Sequence, residues 1–169
     1  KTFNMDPADL ERKIQRVKGN RNLRARAVIP VDLYGLPADY AGIQDVADAH
    51  GLRIVSDAAQ SFGGRQDGKW VGTLAEITAT SFYPTKTLGG YGDGGAILVR
   101  DKEVGDLLRS IRWHGTGDNR KESIRVGING RCDSIQCAVV SEKLGIFEEE
   151  RKRRIAAAEV YNERLSGKV

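Results

Sequence analysis

The sequence predicts an α/β fold in which helices flank a mostly parallel sheet. Amphipathic stretches alternate along the chain with short runs rich in β-branched residues. Two such runs, residues 25–35 and 52–60, are separated by a helical stretch, and this order predicts a strand, helix and strand unit with parallel strands. A later pair, residues 77–84 and 94–100, is joined by a glycine-rich segment too short for a crossover helix. We therefore expect the last two strands to be antiparallel.

The first two helices are predicted from apolar spacing and from the residues that begin or end them. Asp6 as the N-cap and Pro7 at the first helical position begin a helix whose apolar residues recur at helical spacing. A second helix is predicted over residues 38–51, where Gly51 ends it.

The second half of the chain is predicted to be mostly helical. Asp101 is a suitable N-cap for a helix over residues 101–115, and a polar loop around residues 116–123 follows. Residues 132–165 are predicted to be largely helical. Gly145 is the weak position in this stretch, because glycine is an unfavourable residue in a helix interior.

Composition limits the classes of function. The 169 residues are 40% hydrophobic and 30% charged, which is typical of one soluble globular domain. No apolar run approaches the roughly 20 residues that a membrane helix needs, and the amino terminus has no signal-peptide core, so we expect no membrane association and a cytoplasmic location. The net charge of +4 comes without any nucleic-acid-binding motif, which argues against nucleic-acid binding. Cys132 and Cys137 have the spacing of neither a zinc pair nor a redox pair, so we expect reduced thiols and no metal site.

We expect the main residues of a catalytic site in the segment "SFYPTKTLGGYGDGG", residues 81–95. Lys86 lies in a turn between two apolar runs, and a lysine amine attacks a carbonyl only when burial or a cationic neighbour favours its neutral form. Asp57 ends a strand at the edge where parallel sheets bind ligands, and its carboxylate could pair with a pyridinium nitrogen. Ser81 could bind a phosphate through its hydroxyl. The five glycines that follow Lys86 would permit close backbone approach and positive φ; they are Gly89, Gly90, Gly92, Gly94 and Gly95.

Each of these residues taken alone also has an ordinary structural explanation. Lys86 would more often be a solvated surface lysine, Asp57 a helix cap and Ser81 a hydroxyl in a strand. The glycines could mark a hairpin with a bulge. "GYGDGG" also approaches a dinucleotide-binding fingerprint, but it precedes a strand and does not join a strand to a helix, which argues against a nicotinamide site.

Four collinear segments, residues 31–64, 81–99, 112–117 and 124–144, together resemble the DegT/DnrJ/StrS sugar aminotransferases. The motifs that carry the resemblance are "DAAQ", "SFYPTK" and "GYGDGG". These enzymes use pyridoxal phosphate and have fold type I, so the resemblance implies a three-layer α/β fold. In it a mixed, mostly parallel sheet is flanked by helices, as in the large domain of aspartate aminotransferase-like enzymes. The subgroup acting on UDP-linked 3-keto hexuronic acids is the most similar one.

The resemblance implies a role for each residue of the candidate site. Lys86 would form the Schiff base with pyridoxal phosphate and then shuttle the proton between the half-reactions, and Asp57 would hold the pyridine nitrogen. Ala59 would lie against one face of the ring, Gln60 would contact the side of the phenolic oxygen, and Ser81 would bind the phosphate.

Two further residues are implied to act at the dimer interface and the substrate. Asn129 matches an asparagine that reaches the phosphate across a homodimer interface, so the active site would be shared between subunits. Arg131 would face the carboxylate of a hexuronic acid substrate, because an arginine fork matches a carboxylate. A structural salt bridge would explain Arg131 equally well.

Family members are well over twice as long as this chain, which bears on its domain organisation. We expect residues 1–145 to be the central part of the cofactor-binding large domain and residues 146–169 to begin the helix that leads to a C-terminal small domain, so that the chain is a fragment. The implied function is transfer of an amino group, from glutamate, to a keto group of a nucleotide-linked sugar. Such sugars belong to surface polysaccharide or natural-product biosynthesis.

Two other functions remain open at this point. Some sugar dehydratases share the fold and the cofactor but carry histidine in place of the lysine, so Lys86 argues against them. A non-catalytic dimerisation or regulatory module could keep the same fold without turnover, but the intact set of Asp57, Ser81 and Lys86 argues against it. An inert fragment of an active enzyme is compatible with the leading hypothesis.

Overall fold

A four-stranded mixed sheet forms the centre of the protein. The structure, a computed structural model, describes residues 2–117 and 121–167, so the middle of the predicted polar loop lies outside the described residues. In chain order the strands are β1 (Ala27–Val28), β2 (Arg53–Asp57), β3 (Arg65–Gln66), β4 (Lys69–Trp70), β5 (Ile77–Ser81) and β6 (Gly95–Val99). The order in the sheet is β1, β2, β5, β6, while β3 and β4 form a separate hairpin. Strands β1, β2 and β5 are parallel and β6 is antiparallel to β5, which confirms the predicted pairing.

The described residues contain four α-helices, close to their predicted positions: α1 (Pro7–Lys18), α2 (Tyr40–His50), α3 (Lys102–Arg112) and α4 (Ser134–Leu165). The predicted N-caps are confirmed, since Asp6 accepts a hydrogen bond from the Ala8 amide and Asp101 accepts one from the Glu103 amide. Gly51 ends α2 in the left-handed conformation, with φ of 60°.

Helices lie on both faces of the sheet. Ser56 and Val55 of β2 point to opposite faces because side chains alternate along a strand. On one face, Tyr40 of α2 hydrogen-bonds to Ser56. On the other face, Val99 of β6 lies in the same row across the sheet as Val55. A methyl carbon of Val99 lies 3.4 Å from the point where a β-carbon on Gly105 of α3 would stand. The sheet is therefore the middle layer of three, as predicted.

The apolar core lies between the two N-terminal helices and the first face of the sheet. Its buried members come from α1, α2, β1, β2 and the adjoining loops: Ile14, Val28, Ala38, Tyr40, Ile43, Ala47, Leu52, Ile54 and Ala75. This packing fixes the position of β2, whose carboxyl end carries Asp57.

The strand predicted over residues 25–35 is much shorter in the structure. Only Ala27–Val28 form a strand, followed by an isolated bridge between Val31 and Asp57 and by a 3-10 turn at Leu33–Gly35. Pro30 explains the interruption, because proline has no amide hydrogen to give to a strand ladder.

One further feature, the hairpin β3–β4, differs from expectation in the rest of the chain. This hairpin was not predicted from the sequence. Its turn contains Asp67 and Gly68, with φ of 49° and 76°, and an Asp-Gly pair favours such tight turns. Helix α4 continues without interruption through Gly145. It therefore crosses the proposed boundary between residues 145 and 146, and the division into domains stays a prediction.

Candidate active site

Asp57 and Ser81 lie at the same edge of the sheet. They are the last residues of β2 and β5, two adjacent parallel strands. Asp57 pairs in register with Ala79, two residues before Ser81, so the three side chains point to one face. Ligands of parallel sheets bind at the carboxyl ends of the strands, and the structure brings both predicted residues to this edge.

Lys86 lies in a tight turn that contacts the segment following Asp57. Its backbone amide donates to the Tyr83 carbonyl oxygen at 2.9 Å, which closes the turn. The Thr87 hydroxyl donates to the Phe62 carbonyl oxygen at 3.3 Å, five residues beyond Asp57. Lys86 is half-buried, and its Nζ makes no hydrogen bond or ion pair within the described part of the chain. The turn is thus held beside the segment that follows Asp57, and the Lys86 amine remains available to a ligand.

The glycines after Lys86 are needed for space and not for an unusual backbone conformation. None of the five has a positive φ, so that expectation is wrong. A β-carbon on Gly89 would lie 2.7 Å from the Pro84 carbonyl oxygen, and one on Gly90 would lie 2.9 Å from Oε1 of Gln136 in α4. The expected close approach is therefore present at these two glycines, where the neighbours are the turn itself and α4.

The polar atoms at this edge match the groups of pyridoxal phosphate. Oδ1 of Asp57 accepts from the Ala59 amide at 3.0 Å, while Oδ2 accepts no hydrogen bond from the described residues and could accept a ring N–H. Oε1 of Gln60 accepts from the Tyr34 amide at 2.7 Å, which leaves the amide hydrogens of Gln60 for a phenolic oxygen. The Ser81 oxygen accepts from a backbone amide two residues on, at 3.1 Å, so its hydrogen can go to a phosphate. The residues present therefore fit the cofactor.

Asn129 and Arg131 belong to a different segment, which follows α3. Asn129 forms an isolated bridge with Trp113, and its Oδ1 accepts from Nε of Arg131 at 2.9 Å. The guanidinium of Arg131 lies over the Trp113 ring, 4.5 Å from its centre. Arg131 makes no salt bridge to any described residue, so the structural explanation for it gains no support.

A cleft of about 720 Å³ lies beside β6 and α3, on the face of the sheet that carries Asp57. Arg131 lines this cleft together with Gly94 and Gly95 from the glycine-rich segment, whereas Asp57 and Lys86 are not among its lining residues. Ala79, which also lines the cleft, pairs with Asp57 across the sheet, so the cleft adjoins the strand end that carries Asp57.

Sequence reasoning missed Thr87 and Tyr34, which link the candidate site residues to other segments. Thr87 lies inside the segment 81–95 and Tyr34 inside residues 31–64, but nothing in the sequence distinguishes either residue from its neighbours. Their contacts join segments that are 25 and 26 residues apart, so no local signal in the sequence could have found them.

Both cysteines are free thiols, and burial, followed by the contact with Cys137, raises the pKa of Cys132. Among residues 2–117 and 121–167, no helix has the length and apolar character required to cross a membrane.

This three-layer domain, with a strand-end aspartate beside the turn of a lysine, has the fold of the large domain of fold type I transferases. The chain belongs to the DegT/DnrJ/EryC1/StrS aminotransferase family, whose family model matches residues 1–168.

Individual relatives agree with this assignment. The chain is 44% identical over 162 residues to UDP-2-acetamido-2-deoxy-3-oxo-D-glucuronate aminotransferase of Pseudomonas aeruginosa, covering 96% of this chain and 43% of that protein. It superposes on a crystal structure of a DegT DnrJ EryC1 StrS aminotransferase from Brucella abortus with a TM-score of 0.94 and 46% identity, over 97% of this chain and 44% of the other. For S. venezuelae DesV in complex with a ketimine intermediate, the TM-score is 0.87 and the identity is 39%. This superposition covers 97% of this chain and 42% of the DesV chain. The chain therefore spans less than half the length of these relatives.

Proposed function

We propose that this protein is a pyridoxal-phosphate-dependent aminotransferase that moves an amino group from an amino-acid donor, glutamate, to a keto group of a nucleotide-linked sugar. The observation that carries the proposal is that Asp57 and Ser81 end adjacent parallel strands, while the turn of Lys86 is hydrogen-bonded to the segment after Asp57. Family membership supports the same reaction.

The side chains at this edge have complementary tasks. When bound, pyridoxal phosphate supplies a carbonyl group that takes up the amino group and a ring that accepts electrons. Oδ2 of Asp57 holds a proton on the ring nitrogen by accepting its hydrogen bond. The hydroxyl of Ser81 binds the phosphate, Ala59 lies against the ring, and Gln60 orients the phenolic oxygen.

Lys86 is the residue that moves the proton. Its Nζ has no protein partner among the described residues, so it can hold the cofactor and afterwards take up and return a proton at the reacting carbon. A histidine at this position could not form the covalent link, and this is why the dehydratase alternative is not favoured.

The substrate class is proposed from Arg131 and from the relatives. The exposed guanidinium of Arg131 stacks on Trp113 and has terminal nitrogens that could hold a carboxylate in a forked contact. A relative named for a UDP-linked 3-oxo-glucuronate supports a 3-keto hexuronic acid carried on a nucleotide. We further propose a cytoplasmic role in the biosynthesis of surface polysaccharide or natural-product sugars.

We also propose a homodimer with a shared active site. Asn129 is exposed and lies on a different segment from Lys86, and its Nδ2 can donate to a phosphate held by the partner subunit. The exposed apolar side chains near Asn129, including Val126 with 95% of its surface accessible, support an interface at this place.

The test uses the full-length protein and compares Lys86→Ala with Lys69→Ala, an exposed lysine of the β3–β4 hairpin. We expect the unmodified protein and Lys69→Ala to show the absorption band of lysine-bound pyridoxal phosphate and to convert glutamate to 2-oxoglutarate. Lys86→Ala should lose both the band and the turnover. A Lys86→Ala variant that turns over would refute the role of the amine, and an unmodified protein without the half-reaction would favour the non-catalytic module.

A further inference from the structure

Asp32 is a buried carboxylate that the proposed reaction does not use. Its side chain is completely buried. Oδ1 accepts from the Ala38 amide at 3.0 Å and from the Tyr40 hydroxyl at 2.8 Å, and Oδ2 accepts from the Ser61 hydroxyl at 2.6 Å. Burying a carboxylate is unfavourable unless hydrogen bonds replace its water, and here three donors from two segments, residues 38–40 and Ser61, do so.

The hydrogen bonds of Asp32 reach both ends of the segment 57–60, which contains three of the proposed cofactor contacts. Ser61 directly follows this segment. Ser56 directly precedes it and hydrogen-bonds to the Tyr40 hydroxyl. Because Tyr40 donates its hydroxyl hydrogen to Asp32, the Ser56 hydroxyl must donate to the Tyr40 oxygen. The hydroxyl hydrogens of Tyr40, Ser56 and Ser61 thus have one acceptor each. Burial, with a smaller effect of the Asp32 carboxylate, raises the pKa of Tyr40, so the phenol remains a donor at neutral pH.

Backbone contacts join the same two segments. The Asp32 amide donates to the Asp57 carbonyl oxygen at 3.0 Å, and the Asp57 amide donates to the Pro30 carbonyl oxygen at 2.9 Å. Two residues after Asp32, the Tyr34 amide donates to Oε1 of Gln60 at 2.7 Å. Residues 30–34 therefore hold the first and the last residue of the segment 57–60.

We propose that Asp32 is a positioning residue, which acts through Tyr40 and Ser61 to fix the segment 57–60 in the orientation that binds the cofactor ring. The proposal rests on the proposed function, since it names what orients Asp57 and Gln60. A segment that is ordered before binding loses less conformational entropy when the ligand arrives, and this increases the affinity. Side chains that hold a reacting group also depend on the residues that support them.

The experiment uses the full-length protein and removes separately the hydrogen bond from Ser61 to Asp32 and the hydrogen bonds of the Tyr40 hydroxyl. Ser61→Ala removes the hydroxyl that follows Gln60, and Tyr40→Phe removes the link to Ser56; either variant suffices if the other does not fold. Two quantities are measured: hydrogen exchange of the backbone amides of residues 58–62 in the cofactor-free protein, and the Kd for pyridoxal phosphate. We expect faster exchange and a Kd raised about tenfold, the effect of losing one hydrogen bond to a charged group.

Asp39→Ala is the matched control. Asp39 lies next to Ala38 and caps α2 by accepting from the Gly42 amide at 3.0 Å, but it makes no hydrogen bond to the segment 57–60. This variant should lower the unfolding temperature and leave both readouts unchanged.

The outcomes separate the two proposals. If Ser61→Ala and Tyr40→Phe leave both the exchange rates and the Kd at the unmodified values, or if Asp39→Ala changes them equally, the positioning role alone is wrong. If the unmodified full-length protein does not bind pyridoxal phosphate, the proposed function is wrong, and the positioning role is refuted with it.

Discussion

The carbonyl oxygen of Pro84 lies 2.7 Å from the point where a β-carbon on Gly89 would stand. The Tyr83 carbonyl oxygen lies 2.8 Å from the same point. Both distances are shorter than a normal contact between carbon and oxygen, and both oxygens belong to the backbone, which cannot rotate away. The turn that holds Lys86 can therefore close only with glycine at position 89.

Gly89→Ala is expected to destabilise the protein by about 1–3 kcal/mol, because the added methyl group forces the turn open. Urea denaturation measures the free energy of unfolding. The absorption band of bound pyridoxal phosphate should weaken in the same variant, since Lys86 moves with the turn. An unchanged free energy of unfolding would show that the turn adapts without strain.

Gly145→Ala is expected to have the opposite effect. Gly145 lies inside α4, and apart from the nearby backbone of its own helix, a β-carbon at this position would have no described atom within 4 Å. Alanine should therefore raise the free energy of unfolding by about 0.5–1 kcal/mol through its higher helix propensity. The same urea denaturation measures it. A loss of stability would indicate that another part of the full-length protein packs against Gly145.

Stability at alkaline pH should depend on Tyr40. Burial raises the pKa of Tyr40 above its ordinary value of 10.0, so above this pH the unfolded chain loses a proton that the folded protein keeps. The contribution of Tyr40 is complete below pH 10 and is lost as the pH rises, by at most about 1.4 kcal/mol per pH unit.

Comparison with Tyr40→Phe isolates this effect from that of other residues that titrate in the same range. The variant should be less stable at pH 7 by about 1–3 kcal/mol, because Asp32 and Ser56 each lose a partner. Its free energy of unfolding should fall less steeply above pH 10. Parallel pH profiles for the two proteins would contradict the prediction.

Arg131→Ala should weaken binding of the sugar substrate. If the guanidinium holds the carboxylate of a nucleotide-linked hexuronic acid, the KM for this substrate should rise at least about tenfold. A nucleotide-linked 3-keto hexose without the carboxylate serves as the control, and its KM should not change. An equal rise for both sugars would instead assign Arg131 to the packing against Trp113.

A shared active site predicts recovery of activity in mixed dimers. Lys86→Ala and Asn129→Ala should each be strongly impaired as homodimers. Unfolding and refolding an equal mixture should restore roughly a quarter of full activity, because half of random dimers are mixed and each mixed dimer has one intact site. A mixture no more active than its components would place both residues in the same subunit's site.

Most of the secondary structure could be predicted because its signals are local. Asp6, Asp101 and Gly51 mark helix ends through hydrogen bonds within a few residues, and the structure has them in these roles. The same local reasoning failed at Pro30, where apolar content suggested a long strand but the missing amide hydrogen interrupted it.

The glycine-rich turn shows a second limit of local reasoning. A glycine in sequence indicates either positive φ or a close contact, and only the positions of Pro84 and Gln136 distinguish the two. At this turn the close contact is the reason, and neither neighbour is recognisable from the glycines themselves.

By itself, the sequence determined the order of the elements, their capping and the chemical groups available at the sheet edge, because each of these depends on neighbours along the chain. Only the tertiary structure decided which groups meet. Asp32 receives its hydrogen bond from Ser61 across 29 residues, and the turn of Lys86 is tied to Phe62 across 25. Such pairs depend on how the strands and helices pack, and that packing is a property of the whole core.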